Sequence, residues 1–218
     1  MDKKASPTNA PGVRRRDTAR ASPGAEGPVY PPREDTFLLE RAAGSRRGER
    51  VLEIGVGEGR AALRSARDGA FVVATDLNLE ALRSVRRRAK ASGVTIDAVR
   101  TDLARGLKRF DLVLANPPYL PTSAASRDPD PWVNLALDGG PDGTKVMARI
   151  VRSLPAHLAP GARALLVVSS LQSKAALSAI ARRWRALGGR RRARESVALG
   201  GERLGLWELT RSVRWIRS

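Results

Sequence analysis

The chain has 218 residues, with 40 Lys and Arg against 22 Asp and Glu, one His and no Cys, for a formal charge of +18. The missing cysteine excludes a disulfide framework, a thiolate nucleophile and a Cys-ligated metal, and the lone His157 excludes a His-rich site, so no metal is expected. The longest apolar stretches, such as 162 to 168, fall well short of the roughly 20 residues needed to cross a bilayer. The basic N-terminus is followed by Ser, Pro and Gly instead of an apolar signal core, so a cytoplasmic location without membrane contact is expected. Of the 40 basic residues 34 are Arg, an excess that fits a nucleic-acid or ribosomal partner and equally a GC-rich genome.

Residues 1 to 28 are basic and nearly devoid of large apolar side chains, which predicts a disordered arm, with one domain over 29 to 218. Tyr30-Pro31-Pro32 is an extended lead-in, and Glu34-Asp35-Thr36 sets acids at the start of a short helix carrying Phe37, Leu38 and Leu39. From Arg50 short apolar runs alternate with helical spacing. Strands are predicted at 51 to 54, 71 to 75, 96 to 99, 111 to 115 and 164 to 168, and helices at 58 to 67, 79 to 91, 144 to 157 and 172 to 187. After Gly188-Gly189, alternation at 193 to 199 and 204 to 209 around Gly200-Gly201 predicts an antiparallel hairpin. The fold class is therefore α/β: a doubly wound, mostly parallel, seven-stranded Rossmann-like sheet closed by that hairpin. Leu120 to Asp142, rich in Pro, Ser, Asp and Gly, reads as a long loop, a length that is usually functional or disordered.

Two constellations carry chemistry. Glu53-Ile54-Gly55-Val56-Gly57-Glu58-Gly59 runs from a strand through a glycine turn into a helix, where a ligand can approach the backbone and an anionic group is favoured. Asp76 ends the next strand, 21 residues after Gly55, where a carboxylate can accept from both hydroxyls of a ribose. A nicotinamide fingerprint would need its third glycine one residue later, at Arg60. After the fourth strand stands Asn116-Pro117-Pro118-Tyr119, at the sheet edge where such folds bind ligands. The prolines leave the Pro117 carbonyl without a local amide partner. A planar NH2 group can donate one hydrogen to the Asn116 side-chain oxygen and one to that carbonyl, with Tyr119 on its flat face. This suits methylation of an amide or aniline-like nitrogen, whose delocalised lone pair needs alignment more than acid-base help.

Together these residues resemble the class I methyltransferases that use S-adenosylmethionine, and specifically the HemK-type glutamine methyltransferases of peptide-chain release factors, in their short archaeal and eukaryotic branch. The resemblance spans about 29 to 210 and rests on Tyr30-x-Pro32-x-Glu34-Asp35-Thr36-Phe37, Glu53-x-Gly55-x-Gly57-x-Gly59, Asp76-Leu77-Asn78, Thr101-Asp102-Leu103, Asn116-Pro117-Pro118-Tyr119 and Gly139-Gly140-x-Asp142-Gly143. It implies that Thr36, Glu53 and Gly55 surround the methionine part of the cofactor, and that Gly57 and Gly59 of the same turn also bind the cofactor. It further implies that Asp76, with Leu77 beside it, takes the ribose, and that Asp102 and Leu103 hold the adenine. Asn116 would sit between cofactor and substrate, with Pro117 and Tyr119 completing the catalytic turn. The stretch from Leu120 to Asp142 would close over the target, with Trp132 as a wall. The implied partners are a release factor and a small zinc-binding activator that covers an apolar sheet edge.

The tetrapeptide does not separate a glutamine amide from the N6 amine of adenine in RNA or DNA, and a non-enzymatic scaffold is a third reading. His157 is expected to face solvent or cap a helix, and Ser169-Ser170 to form a turn. Arg86-Arg87-Arg88 and Arg190-Arg191-Arg192 read as solvated surface, or as contacts to RNA or ribosomal phosphates if they lie near the cofactor mouth.

Overall fold

The computed structural model describes residues 27 to 211, so nearly all of the proposed basic arm lies outside the described residues. Seven strands form one sheet: β1 (Arg50–Ile54), β2 (Phe71–Asp76), β3 (Ile96–Arg100), β4 (Phe110–Ala115), β5 (Leu158–Ser169), β6 (Gly189–Leu199) and β7 (Glu202–Arg211). Their spatial order is β3-β2-β1-β4-β5-β7-β6. The first five run parallel, and β7 lies antiparallel between β5 and β6. The doubly wound sheet with its closing hairpin matches the expected class.

Among the described residues six α-helices accompany the sheet: α1 (Glu34–Ala42), α2 (Arg60–Arg67), α3 (Leu79–Ala91), α4 (Pro131–Leu137), α5 (Lys145–His157) and α6 (Lys174–Ala186). Helices α1 to α3 cover one face, where Leu38, Leu63 and Val85 pack on Val51, Leu112, Leu114, Val167 and Leu206. Helices α5 and α6 cover the other, where Met147, Ile150, Leu154 and Trp184 pack on Leu52, Val113, Leu166 and Leu209. Strand residues alternate between these two cores, so the central strands read as continuous apolar runs and not as alternating patterns. Burying each large aliphatic side chain stabilises the fold by about 1.5–3 kcal/mol relative to exposure.

Strand β5 starts six residues earlier than its apolar run suggests. Pro160 and the left-handed Gly161 (φ 75°) hide the extension. A register shift against β4 absorbs them, pairing Leu158 with Phe110. Strand β6 likewise begins at Gly189, ahead of the hairpin alternation. It is an edge strand, exposed along most of its length, so burial imposes no alternation on Arg190-Arg191-Arg192. Trp184 of α6 lies where a Cβ on Gly189 would stand, and its indole N–H donates to the Arg190 carbonyl at 3.0 Å.

The arginines of α3 are not simply solvated. Arg87 pairs with Glu80 at 2.7 Å, Arg88 with Glu58 at 2.7 Å, and Arg86 donates to the Ala98 carbonyl of β3 at 2.6 Å.

Candidate active site

The chain leaves β1 for β2 and β3 on one side and returns to β4 on the other, which makes the β1/β4 boundary the switch point of the sheet. Ile54 pairs with Ala115 there. Gly55 and Asn116, the next residues, are therefore brought side by side at the carboxyl edge. A cavity of ≈ 220 Å³ opens at this point, and a second of ≈ 310 Å³ adjoins it.

Thr36, Glu53, Gly55, Gly57, Asp76, Leu77, Asp102, Leu103, Asn116 and Pro117 all line the first cavity. Gly55 and Gly57 have φ values of 69° and 50°, a region that side chains with a Cβ avoid, and a Cβ on either would meet open space. Gly59 does not line the cavity. It too is left-handed, and a Cβ there would collide with Val85, so it serves the packing of α2 against α3.

Gly59 caps α2 without a side-chain acceptor, and Glu53 supplies one from β1 by accepting from the Ala62 N–H at 2.6 Å. Burial pushes the Glu53 carboxyl up to about 8, against the pull of that bond. Asp76 braces the turn through both oxygens, accepting from Gly57 N–H at 3.1 Å and Asn78 N–H at 2.8 Å. Burial still raises its pKa. Asp102 is paired with Arg149 of α5, a cavity residue that spacing along the chain does not reveal. Leu103 is left-handed at φ 56°, the one non-glycine so placed among the described residues. Backbone strain of this kind costs about 1–3 kcal/mol and gathers at functional sites.

Asn116 lines both cavities. Its side-chain oxygen is buried without a hydrogen-bond partner among the described residues. No donor among them reaches the Pro117 carbonyl either. Two acceptors thus stand open at one turn, and a buried acceptor left alone costs about 1–3 kcal/mol. Tyr119 lines the second cavity and donates its hydroxyl to Asp35 at 3.2 Å. Burial and the Asp35 and Glu202 carboxylates push its pKa upward.

The stretch from 120 to 142 is structured instead of a long free loop. Asp130 accepts from the Trp132 N–H at 2.8 Å and caps α4, with Pro131 at its first position, a pairing legible as a helix start. Leu120 bonds back to Leu137 and Gly139, and Arg127 pairs with Asp138 at 3.0 Å. Helix α4 hangs over both cavities through Ala136, while Trp132 walls the first cavity and not the second. Pro28, Val29 and Tyr30 cross the same cavity, tied down by Asn78 donating to the Gly27 carbonyl at 3.0 Å. His157 and Ser169 line neither cavity; Ser169 pairs with Glu202. Among the described residues no cluster of His, Asp and Glu suits a metal ion, and no helix is long and apolar enough to cross a membrane.

Residues 35 to 128 match the methyltransferase small domain family. With the site at the switch point of this sheet, the protein is an S-adenosylmethionine-dependent methyltransferase. A Methanocaldococcus jannaschii protein, provisionally named a protein N5-glutamine methyltransferase, is 38% identical over 145 residues, covering 66% of this chain and 73% of its own. The Deinococcus radiodurans release factor glutamine methyltransferase is 41% identical over 166 residues, covering 71% of this chain, which spans 56% of that enzyme. Among solved structures, the E. cuniculi Mtq2-Trm112 complex, described as responsible for methylation of the eRF1 translation termination factor, aligns with a TM-score of 0.65 and 26% identity. That alignment covers 84% of this chain and 98% of the other. The chain belongs to the HemK-type family of protein-glutamine methyltransferases.

The residues present fit S-adenosylmethionine. The glycine turn has room for close approach, the acids Asp76 and Asp102 line the same cavity, and that cavity meets the open Asn116 oxygen.

Proposed function

We propose that this chain methylates the side-chain amide nitrogen of a glutamine in a peptide-chain release factor, in the cytoplasm. The observation that carries the reading is the buried, unpartnered Asn116 oxygen at the junction of the two cavities. In this reading Thr36, Glu53 and Gly55 hold the methionine part of the cofactor, Asp76 and Leu77 the ribose, and Asp102 and Leu103 the adenine. When bound, S-adenosylmethionine supplies an electrophilic methyl group.

Asn116 and the Pro117 carbonyl each accept one hydrogen of the target amide. This fixes the nitrogen, favours its pyramidal form and aims the lone pair towards the first cavity. Tyr119, held by Asp35, walls the chamber in which the amide lies. The proton left on nitrogen after transfer passes to solvent, so no general base is required of the chain.

The charge of the second cavity favours a protein substrate over adenine. Its lining holds Glu34, Asp35 and Glu202 against Arg33 alone, a wall that repels a phosphate backbone. The family relatives named for release factors support the same substrate. The Mtq2-Trm112 complex supports a small activator subunit as a further partner.

The test is transfer of radiolabelled methyl from S-adenosylmethionine to a cell extract split into protein and RNA fractions. Label in a protein of release-factor size, lost with Asn116→Ala, is the expected result. Label confined to RNA overturns the glutamine reading.

A further inference from the structure

Helix α5 turns one stripe towards the first cavity. Val146, Arg149 and Ile150, at three- and four-residue spacing, all line it, and Arg149 is the cation of that stripe. Its side chain reaches the segment that follows β3, where Nη2 donates to Oδ2 of Asp102, itself a cavity residue.

Neither element needs this pair in order to fold. Met147, Ile150, Val151 and Leu154 bury α5 against the sheet, and β3 is paired with β2 along its length. With the Arg149 and Asp102 side chains 40% and 44% exposed, such an ion pair contributes little to stability. What it fixes is a direction. The backbone at Asp102 is already held, by Thr101 N–H on the Asp76 carbonyl at 3.3 Å and by Arg105 N–H on the Asp102 carbonyl at 3.2 Å. Its carboxylate has no partner but Arg149 among the described residues, and Oδ1 accepts from none of them. Leu103, the next residue and also in the cavity wall, is held at φ 56°, strain of the kind that gathers where ligands bind.

We infer that Arg149 is a positioning residue that sets the base specificity of the cofactor site. By holding one oxygen of Asp102 it leaves the other as a fixed acceptor on the cavity wall. A guanidinium bonded through one nitrogen also keeps its other N–H donors in a fixed plane. An acceptor beside donors matches the edge of a 6-aminopurine, which offers an exocyclic N–H next to a ring-nitrogen acceptor. A 6-oxopurine presents a carbonyl oxygen at the same point, which the carboxylate repels. This role rests on the proposed contact of Asp102 with adenine, and adds to it the group that aims the carboxylate.

Isothermal titration of the full chain with S-adenosylhomocysteine, the demethylated cofactor, and with its 6-oxo counterpart S-inosylhomocysteine tests this without turnover. The wild type should prefer the adenine form by at least about tenfold, since the 6-oxo form loses a hydrogen bond to a charged group. Arg149→Met keeps an aliphatic stem between Val146 and Ile150 but removes the donors. It should bind S-adenosylhomocysteine about five- to tenfold more weakly, with the preference reduced to about threefold or less. Arg149→Lys, with a charge but no plane, should fall between the two. Thermal melting without ligand should stay at the wild-type value in both variants, which separates aiming from misfolding. Asp102→Asn, whose amide can donate to a carbonyl, should lose the preference as well. A preference kept in Arg149→Met, even with both affinities lowered, but lost in Asp102→Asn would overturn the role of Arg149 and leave the adenine contact standing. A preference absent from the wild type, or kept in Asp102→Asn, would overturn the adenine contact and this role with it.

Discussion

The carboxyl edge of the sheet and the outer edge of β6 carry opposite charge on one strongly basic chain. Glu53, Asp76 and Asp102 line the first cavity, and Glu34, Asp35 and Glu202 the second, with Arg149 and Arg33 as the cations among them. The start of β6 is arginine with a single nearby carboxylate in use. A net charge of +18 therefore describes the surface and not the site. Burial pushes Glu53 and Asp76 towards their neutral forms. Acids around the reacting centre disfavour a polyanion there, whatever the net charge of the chain.

The largest effect that sharpens this contrast comes from Asn116→Ala. Transfer should fall by about 10²–10³ or more, as expected for loss of one pre-aligned hydrogen-bonding group. Because the oxygen removed has no partner, thermal stability should hold or rise, and calorimetry of cofactor binding should show little change. Asp76→Ala should instead weaken cofactor binding strongly and also lower the melting temperature, since Asp76 braces Gly57 and Asn78. Isothermal titration beside a thermal melt separates the two losses.

Gly59→Ala should destabilise the fold by about 1–3 kcal/mol through its left-handed backbone and Val85, while the folded fraction binds cofactor normally. Chemical denaturation with a binding assay on the same variant checks this.

Glu53 gives a pH signature. Its folded pKa of about 8 lies above the ordinary 4.5, so the folded state holds the proton more tightly. Its contribution to stability is full below about pH 4.5 and is lost as pH rises to about 8. Denaturation between these limits should show wild-type stability falling relative to Glu53→Gln, in which this slope disappears.

Much of this was legible along the chain. The strand, turn and helix around Gly55, the acid at Asp76 and the Asn116-Pro117 turn follow from residue type and strand ends, because each must lie at the carboxyl edge of a parallel sheet. What stayed hidden depends on contacts between distant segments. Arg149 meets Asp102 across 47 residues, and Asp35 holds Tyr119 across 84. Gly59 looks like its neighbours in the turn, and only the position of Val85, which a Cβ on Gly59 would strike, sets it apart. The start of β6 was obscured because an exposed edge leaves no burial pattern to read.

The proposed function rests on Asn116 orienting a glutamine amide at the junction of the two cavities. The most direct measurement is peptide mapping by mass spectrometry of a purified release factor after incubation with S-adenosylmethionine and either wild-type protein or Asn116→Ala. One methyl group on a single glutamine is expected with the wild type and none with the variant. Methylation of that glutamine at wild-type rate by Asn116→Ala, or modification of a different residue type, would contradict it.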